Sequence, residues 1–302
     1  SRAFGSRTVP CAGCPVGCGK TALDGRPLPG FEVMSHFTAL LGLADMELVM
    51  EANALCLGLG MDPLSAAVTL ACHTEVTGER PDSARVLDLL GAIGRGERPD
   101  LGQGAARYAT SLGRPRAAMT VKGLELGACD PRGAYGMALS CAVATVGGRH
   151  DRAGALGHEI LRKPVATDRL SFLGKARIVK LGEDAVAAAG SLTVCAPMLL
   201  AASLEEYASA LQAVTGEPAS AQGLQRAGER ACYRERIMNA RLGFSSTHDD
   251  LPARLFQEPG QGGVAGGVRP VPRGDFLEAR ARYYAARGLT PQGLPTREKA
   301  RE

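Results

Sequence analysis

Apolar residues recur along this chain mostly at helical spacing. Leu48, Ala52, Leu55 and Leu59 follow one another at intervals of four, three and four, which places them on one face of a helix over about Met46–Leu59. Asp45 is set to cap its start and Gly60 to end it. Asp62-Pro63 opens a second helix, which runs to about Val76 and stops at Gly78. Further helices are predicted over Ser83–Gly94, Gly104–Leu112 and Ala134–Thr145, the last uncharged throughout. Ser203-Leu-Glu-Glu206 is a capping box that starts a helix to Val214. A long Arg-rich helix covers about Ala221–Leu242, and an amphipathic one Asp275–Arg287. Cys11–Phe31, Lys122–Gly133 and Pro259–Gly274 read as loops from their Gly and Pro content. The fold class expected is therefore all-α and multihelical, in two helical domains, 1–165 and 166–302.

Composition narrows the classes of function. The chain has 302 residues, 45% hydrophobic and 22% charged, which suits a soluble globular protein with a sizeable core. Aromatic residues are 4% and Trp is absent, so a stacking platform for nucleic acid is not expected. The net charge of +4 does not make polyanions a default partner. The longest uncharged run, Ala185–Leu204, contains Gly190, Ser191, Thr193 and Pro197 and reads as buried helix and loop, not a membrane span. No signal peptide is visible, and nine cysteines is an odd number, so a cytoplasmic protein is expected. The start at Ser1 fits either loss of an initiator Met or excision from a longer chain.

Cys11, Cys14 and Cys18 form C-x-x-C-x-x-x-C on a Gly/Pro-rich loop. Three thiolates from one loop and a fourth from elsewhere is a common way to hold a [4Fe–4S] cluster. Structural zinc more often uses two C-x-x-C knuckles, and there is no second knuckle here. Cys56, Cys72 and Cys141 fall within apolar helical patterns, as core cysteines do. Spacing leaves Cys129 and Cys195 level as the fourth ligand. Among other charged groups, Asp130-Pro-Arg-Gly133 is a turn, Asp249-Asp250-Leu-Pro a helix stop or cap, and Arg226, Arg230, Arg234, Arg236 and Arg241 alternate with Glu229 and Glu235 as a solvated, salt-bridged face.

Seven stretches then occur in order: CAGCPVGC, PGFE, NALCLGLGMDPLSAA, VKGLELGACDPRGAYGMAL, GSLTVC, NARLGF…DDLPARLF and YYAARGLTPQGLP. Together they resemble the second and third domains of the tungsten-dependent aldehyde:ferredoxin oxidoreductase family, from about Pro10 to Pro295. The resemblance implies two helical domains closing over a tungsten (or molybdenum) bis-molybdopterin, held also by an N-terminal β-domain that this sequence lacks. It implies oxidation of aldehydes to carboxylic acids, with electrons leaving through a [4Fe–4S] cluster to ferredoxin or another acceptor. It assigns the cluster to Cys11, Cys14, Cys18 and Cys195, which breaks the tie with Cys129. It assigns active-site roles to Glu32 in PGFE and His150 in Gly147-Gly-Arg-His150, as base and as hydrogen-bond donor to a substrate carbonyl.

The family's two pterin motifs fall on Leu57-Gly-Leu-Gly60-Met61-Asp62 and Gly190-Ser-Leu-Thr193-Val194-Cys195. The implied cofactor contacts are Gly60, Met61, Asp62 and Val194. Each motif opens in the family with an Asp whose carboxylate meets the pterin's amino edge, and here those positions are Leu57 and Gly190. Asp62 is equally well placed as a helix cap. Glu51 matches a position where some members hold a metal at a dimer interface, so a homodimer is an implied partner, although Glu51 also fits the polar side of its helix. Two other functions compete with the enzyme part: an iron–sulfur electron-transfer or scaffold protein that has lost the pterin, and a zinc-binding structural module.

Overall fold

The computed structural model describes residues 5–260 and 267–301. It is predominantly helical, with only two short two-stranded ladders among the described residues. By packing it divides into two compact units, Ser1–Ala128 and Cys129–Glu302. That division falls earlier than the 165/166 boundary expected from the sequence. The reason is the uncharged helix α6 (Tyr135–Val143), every residue of which is buried. It packs on α7 (Lys175–Ser191) and takes its N-terminal cap from Glu159, whose carboxylate accepts from the backbone of Gly136 at 2.7 Å and Met137 at 3.1 Å. The same carboxylate pairs with Lys175 of α7 at 2.8 Å, both side chains fully buried.

In the first unit, β1 (Ser6–Thr8) and β2 (Lys20–Ala22) pair antiparallel. A short helix α1 (Phe31–Ser35) runs directly into a π-helical turn at His36–Leu40. Four helices follow: α2 (Met46–Gly58), α3 (Pro63–Thr77), α4 (Ser83–Gly94) and α5 (Ala105–Ser111). Asp45, Asp62 and Asp82 each accept backbone N–H bonds at a helix start, and Gly78 ends α3 in the left-handed region. Phe37, Leu48, Val49, Ala52, Cys56, Leu70, Leu89, Leu90 and Leu101 form one apolar core with these helices. The segment Lys122–Gly133, expected as loop, begins inside a tight hairpin of β3 (Thr120–Val121) and β4 (Leu124–Glu125). Its turn is Lys122-Gly123, both with positive φ, which matches strand twist. Glu125 is buried and caps α5 through Ala105 N–H at 3.0 Å while accepting from the Ser65 hydroxyl at 2.7 Å.

The second unit adds α8 (Leu204–Thr215), opened by the expected capping box, then α9 (Ala221–Arg241), α10 (Arg254–Gln257) and α11 (Arg273–Arg287). Helices α7 and α9 pack backbone to backbone. A Cβ on Gly228 would lie 1.8 Å from the Asp184 carbonyl oxygen, so only glycine allows this approach. Two expectations change here. Arg236 is not on a solvated face: it is buried and ion-pairs with Asp249 at 2.6 Å. Asp249 is not a cap but a buried acceptor, also taking the Tyr284 hydroxyl at 2.9 Å. Buried Arg287 likewise pairs with Asp184 and, at 2.7 Å, with Glu183. These polar residues turn inward because each finds an opposite charge or hydrogen-bond partner there.

The run Ala185–Leu204 is the end of α7, a tight turn and a 3₁₀ segment at Ala196–Leu200. No single helix among the described residues is long and apolar enough to cross a membrane. In the Pro259–Gly274 stretch, residues 261–266 lie outside the described residues. Of the described residues there, Gly260 and Val271 are buried and Gly260 bridges to Val268, while Pro259, Gly267, Arg269, Pro272, Arg273 and Gly274 are exposed.

Candidate functional site

The three-cysteine loop is carried by the β1–β2 ladder. Its base is closed by the Val9 N–H donating to the Gly19 carbonyl at 2.8 Å, and a Cβ on Gly19 would sit 2.5 Å from the Val9 oxygen. Cys11 and Cys18 are exposed and Cys14 half-buried. The Cys14 N–H donates to the Cys11 carbonyl at 3.0 Å, so these two thiols flank one tight turn. Gly13 and Gly17, each just before a cysteine, have φ of +70° and +56°. Left-handed glycines let the chain double back twice within eight residues, which is what wrapping an inorganic core requires.

The remaining cysteines divide by environment. Cys56, Cys72, Cys141 and Cys232 are buried. Burial pushes the Cys56 thiol up to about 11 and the Cys232 thiol up to about 12, so both are protonated at neutral pH and behave as core residues. Cys129 is half-buried and Cys195 exposed, and both belong to the second unit.

Cys195 and Asp62 occupy equivalent places in two turns of the same design. In the first, Leu59 N–H donates to Leu55 O, Gly60 N–H to Leu57 O at 3.2 Å, and Met61 N–H to Cys56 O at 2.8 Å. In the second, Leu192 N–H donates to Ala188 O, Thr193 N–H to Gly190 O at 3.0 Å, and Val194 N–H to Ala189 O at 2.9 Å. Gly60 has φ +70° and Thr193 φ +57°, and each turn ends on an extended residue that opens the next helical segment. A β-branched residue in the left-handed region is a strained choice, yet the second turn holds the same conformation as the first without a glycine.

The side chains on these turns do not suit a pterin. Leu57 is 63% exposed and offers no acceptor. Gly190 has nothing within 4 Å of a built Cβ, so a carboxylate would have room, yet none is present. Both oxygens of Asp62 cap α3, through Leu64 and Ser65 N–H at 3.3 Å. Met61 packs on the apolar core, and Val194 is half-buried. An amino edge placed against these turns would find no carboxylate at positions 57 or 190, and at 62 one already engaged as a helix cap.

Glu32 lies in the first turn of α1, half-buried. One of its oxygens accepts from the Ala128 N–H, and a Cβ on Gly127 would fall 3.1 Å from both oxygens, so a glycine there makes room for the carboxylate. Sequence reading missed His36, buried one turn on, with Nδ1 2.5 Å from the Glu32 carbonyl and Nε2 3.3 Å from the Leu126 carbonyl. The four-residue spacing of Glu32 and His36 was its only signal. His150 is half-buried in the loop after α6, where its carbonyl accepts from the Ser140 hydroxyl at 3.3 Å, between the ion-paired Arg149 and Asp151. Glu51 is exposed on α2.

The sequence profile of the family described as "Aldehyde ferredoxin oxidoreductase, domains 2 & 3" matches residues 1–302. Among similar proteins are the tungsten-containing aldehyde ferredoxin oxidoreductases of Pyrococcus furiosus and Thermococcus kodakarensis, each 32% identical over 98% of this chain and 52% of theirs. The chain thus spans about half the length of the curated relatives it matches. Its fold is similar to a solved structure, the active-site complex BamBC of benzoyl coenzyme A reductase with 1,5-dienoyl-CoA. That match has a TM-score of 0.72 at 16% identity, covering 97% of this chain and 52% of the other, and is a likeness of fold alone.

Proposed function

The chain belongs to the aldehyde ferredoxin oxidoreductase family, in the part that comprises domains 2 and 3, and from that premise we propose that it is the helical, cluster-bearing part of an aldehyde-oxidising enzyme. The observation that carries the reading is the three-cysteine loop, with left-handed Gly13 and Gly17 ahead of Cys14 and Cys18. Cys11, Cys14, Cys18 and Cys195 would hold a [4Fe–4S] cluster. Such a cluster supplies one-electron transfer, which suits a relay towards ferredoxin.

Oxidation of an aldehyde with water to a carboxylic acid releases two electrons and two protons. In this reading the part of this chain is the hydration. Glu32 takes the proton from the water that adds to the carbonyl carbon, with one oxygen held by the Ala128 N–H, and the two electrons of the hydrate would leave to a redox group held together with the rest of the enzyme. His150 donates a hydrogen bond to the carbonyl oxygen as charge builds on it. Positions 57 and 190 of this chain do not fit the tungsten–pterin group, since Leu57 and Gly190 offer its amino edge no acceptor. The chain by itself is therefore expected to show no viologen-coupled aldehyde oxidation, and a β-domain from the same or a separate polypeptide would be needed.

A second reading is favoured by Leu57 and Gly190: an electron-transfer protein on this fold that has dispensed with the pterin. Elemental analysis of the anaerobically purified full-length protein separates the two. Tungsten or molybdenum together with iron supports the enzyme, and iron alone supports the relay. Zinc alone would overturn both.

A further inference from the structure

Helix α9 presents a row of basic side chains with no acid to neutralise it. Arg226, Arg230, Arg234 and Arg241 are all exposed, and none forms a hydrogen bond or ion pair with a described residue. The acids between them face elsewhere. Glu229 pairs with Lys180 at 3.0 Å and Lys299 at 3.5 Å, and Glu235 accepts from the Thr145 hydroxyl. The interleaved face expected from the sequence is therefore sorted by charge. At α-helical geometry the four arginines fall within an arc of about 80° and span roughly 22 Å.

Two features distinguish this row from an ordinary solvated face. Arg226, Arg230 and Arg234 are like charges at successive four-residue intervals, an arrangement that lowers helix stability. Beside them Met238 near the end of the helix and Leu242 just after it are 62% and 75% exposed, so the row adjoins bare apolar surface. The start of α9 also lies beside the end of α7. Leu224 shares a small apolar cluster with Ala188, and Leu192, three residues before Cys195, packs against it.

We infer that this row is a docking surface for the acidic face of an electron-carrier protein, an inference that rests on the reading of Cys195 as a cluster ligand. Charge complementarity names the sign of the partner, and Met238 and Leu242 give it a contact that excludes water. Nucleic acid is disfavoured by a chain with 4% aromatic residues and a net charge of only +4. A membrane surface is disfavoured because the apolar contribution is two side chains at one end of the helix, not a full face.

The test is titration of an acidic ferredoxin onto the full chain at low and high salt. Binding to the wild-type chain should weaken steeply with salt. The neutral variant R226Q/R230Q/R234Q/R241Q should bind about tenfold more weakly or worse, with a flattened salt dependence. The Lys variant at the same four positions should retain binding, and neither variant should melt below the wild type, the Gln variant being relieved of like-charge repulsion along the helix. No binding by the wild-type chain, or equal binding by the Gln variant, would overturn the inference. Arg-dependent capture of anionic vesicles or duplex DNA without capture of ferredoxin would also overturn it. Iron content measured on the same samples keeps the two readings apart. Arg-dependent binding without a cluster removes only the ligand assignment, and a cluster without Arg-dependent binding removes only the docking surface.

Discussion

Residues 45–109 fold helices around an apolar centre and leave charge at the rim, whereas residues 129–301 carry ion pairs through the middle of their packing. In the first unit the core is mainly Leu, Val and Ala, with Phe37, Tyr108, Cys56 and Cys72, and ion pairs such as Arg95–Glu97 and Arg85–Asp88 are exposed. In the second, Lys175–Glu159, Arg236–Asp249 and Arg287–Asp184 are fully or almost fully buried. Apolar cores tolerate changes of shape in proportion to the volume lost. A buried pair fails abruptly when one partner goes, because the other charge remains without water.

The largest expected effect is therefore in the second unit. Arg287→Ala leaves buried Glu183 with only the Tyr283 hydroxyl and buried Asp184 with only Lys180 as side-chain partners, and should destabilise by about 3–5 kcal/mol in denaturant unfolding. Leu48→Ala in the first unit should cost about 2–5 kcal/mol, scaled by the cavity it leaves. If the Arg287 change costs under about 1 kcal/mol, the contrast between the units is wrong. Gly228→Ala should cost about 1–3 kcal/mol or more, because its methyl group must push α7 and α9 apart.

Smaller effects separate rim from core. Asp45 is held below its ordinary value of 3.8 by hydrogen bonds from the Ser83 hydroxyl and the Leu48 and Glu47 backbone N–H groups. A carboxyl with a lowered folded pKa stabilises above its unfolded pKa and loses that contribution as the pH falls through the folded one. The stability gap between wild type and Asp45→Asn should be full at neutral pH and close in acid below 3.8. Thiol alkylation of the metal-free native protein at mildly alkaline pH should label Cys11, Cys18 and Cys195 first and spare Cys56 and Cys232. Early labelling of Cys56 would contradict its place in the core.

The same contrast explains what was legible beforehand. Asp45, Asp62-Pro63, Gly78 and the Ser203 capping box are local signals, and the helices they bound fall where the sequence puts them. Helix α7 was legible only in its Ala-rich end, because Lys175, Lys180, Glu183 and Asp184 look like surface residues until their partners from other segments are known. Arg236 and Asp249 were misread for that reason. At the site, the Cys11–Cys18 spacing is local and was read directly. Cys195 lies far along the chain, and both it and the pairing of its motif with the Asp62 motif come through resemblance; the backbone hydrogen bonds add that the two segments fold as the same turn.

The central claim is that Cys11, Cys14, Cys18 and Cys195 hold one iron–sulfur cluster. It is tested most directly by iron and sulfide content, with electron paramagnetic resonance after reduction, on anaerobically reconstituted full-length protein. Wild type and Cys129→Ser should each bind about four iron atoms per chain with the signal of a reduced [4Fe–4S] cluster, while Cys14→Ser and Cys195→Ser should lose it or convert it to a smaller cluster. A cluster unaffected by Cys195→Ser and abolished by Cys129→Ser would contradict the assignment.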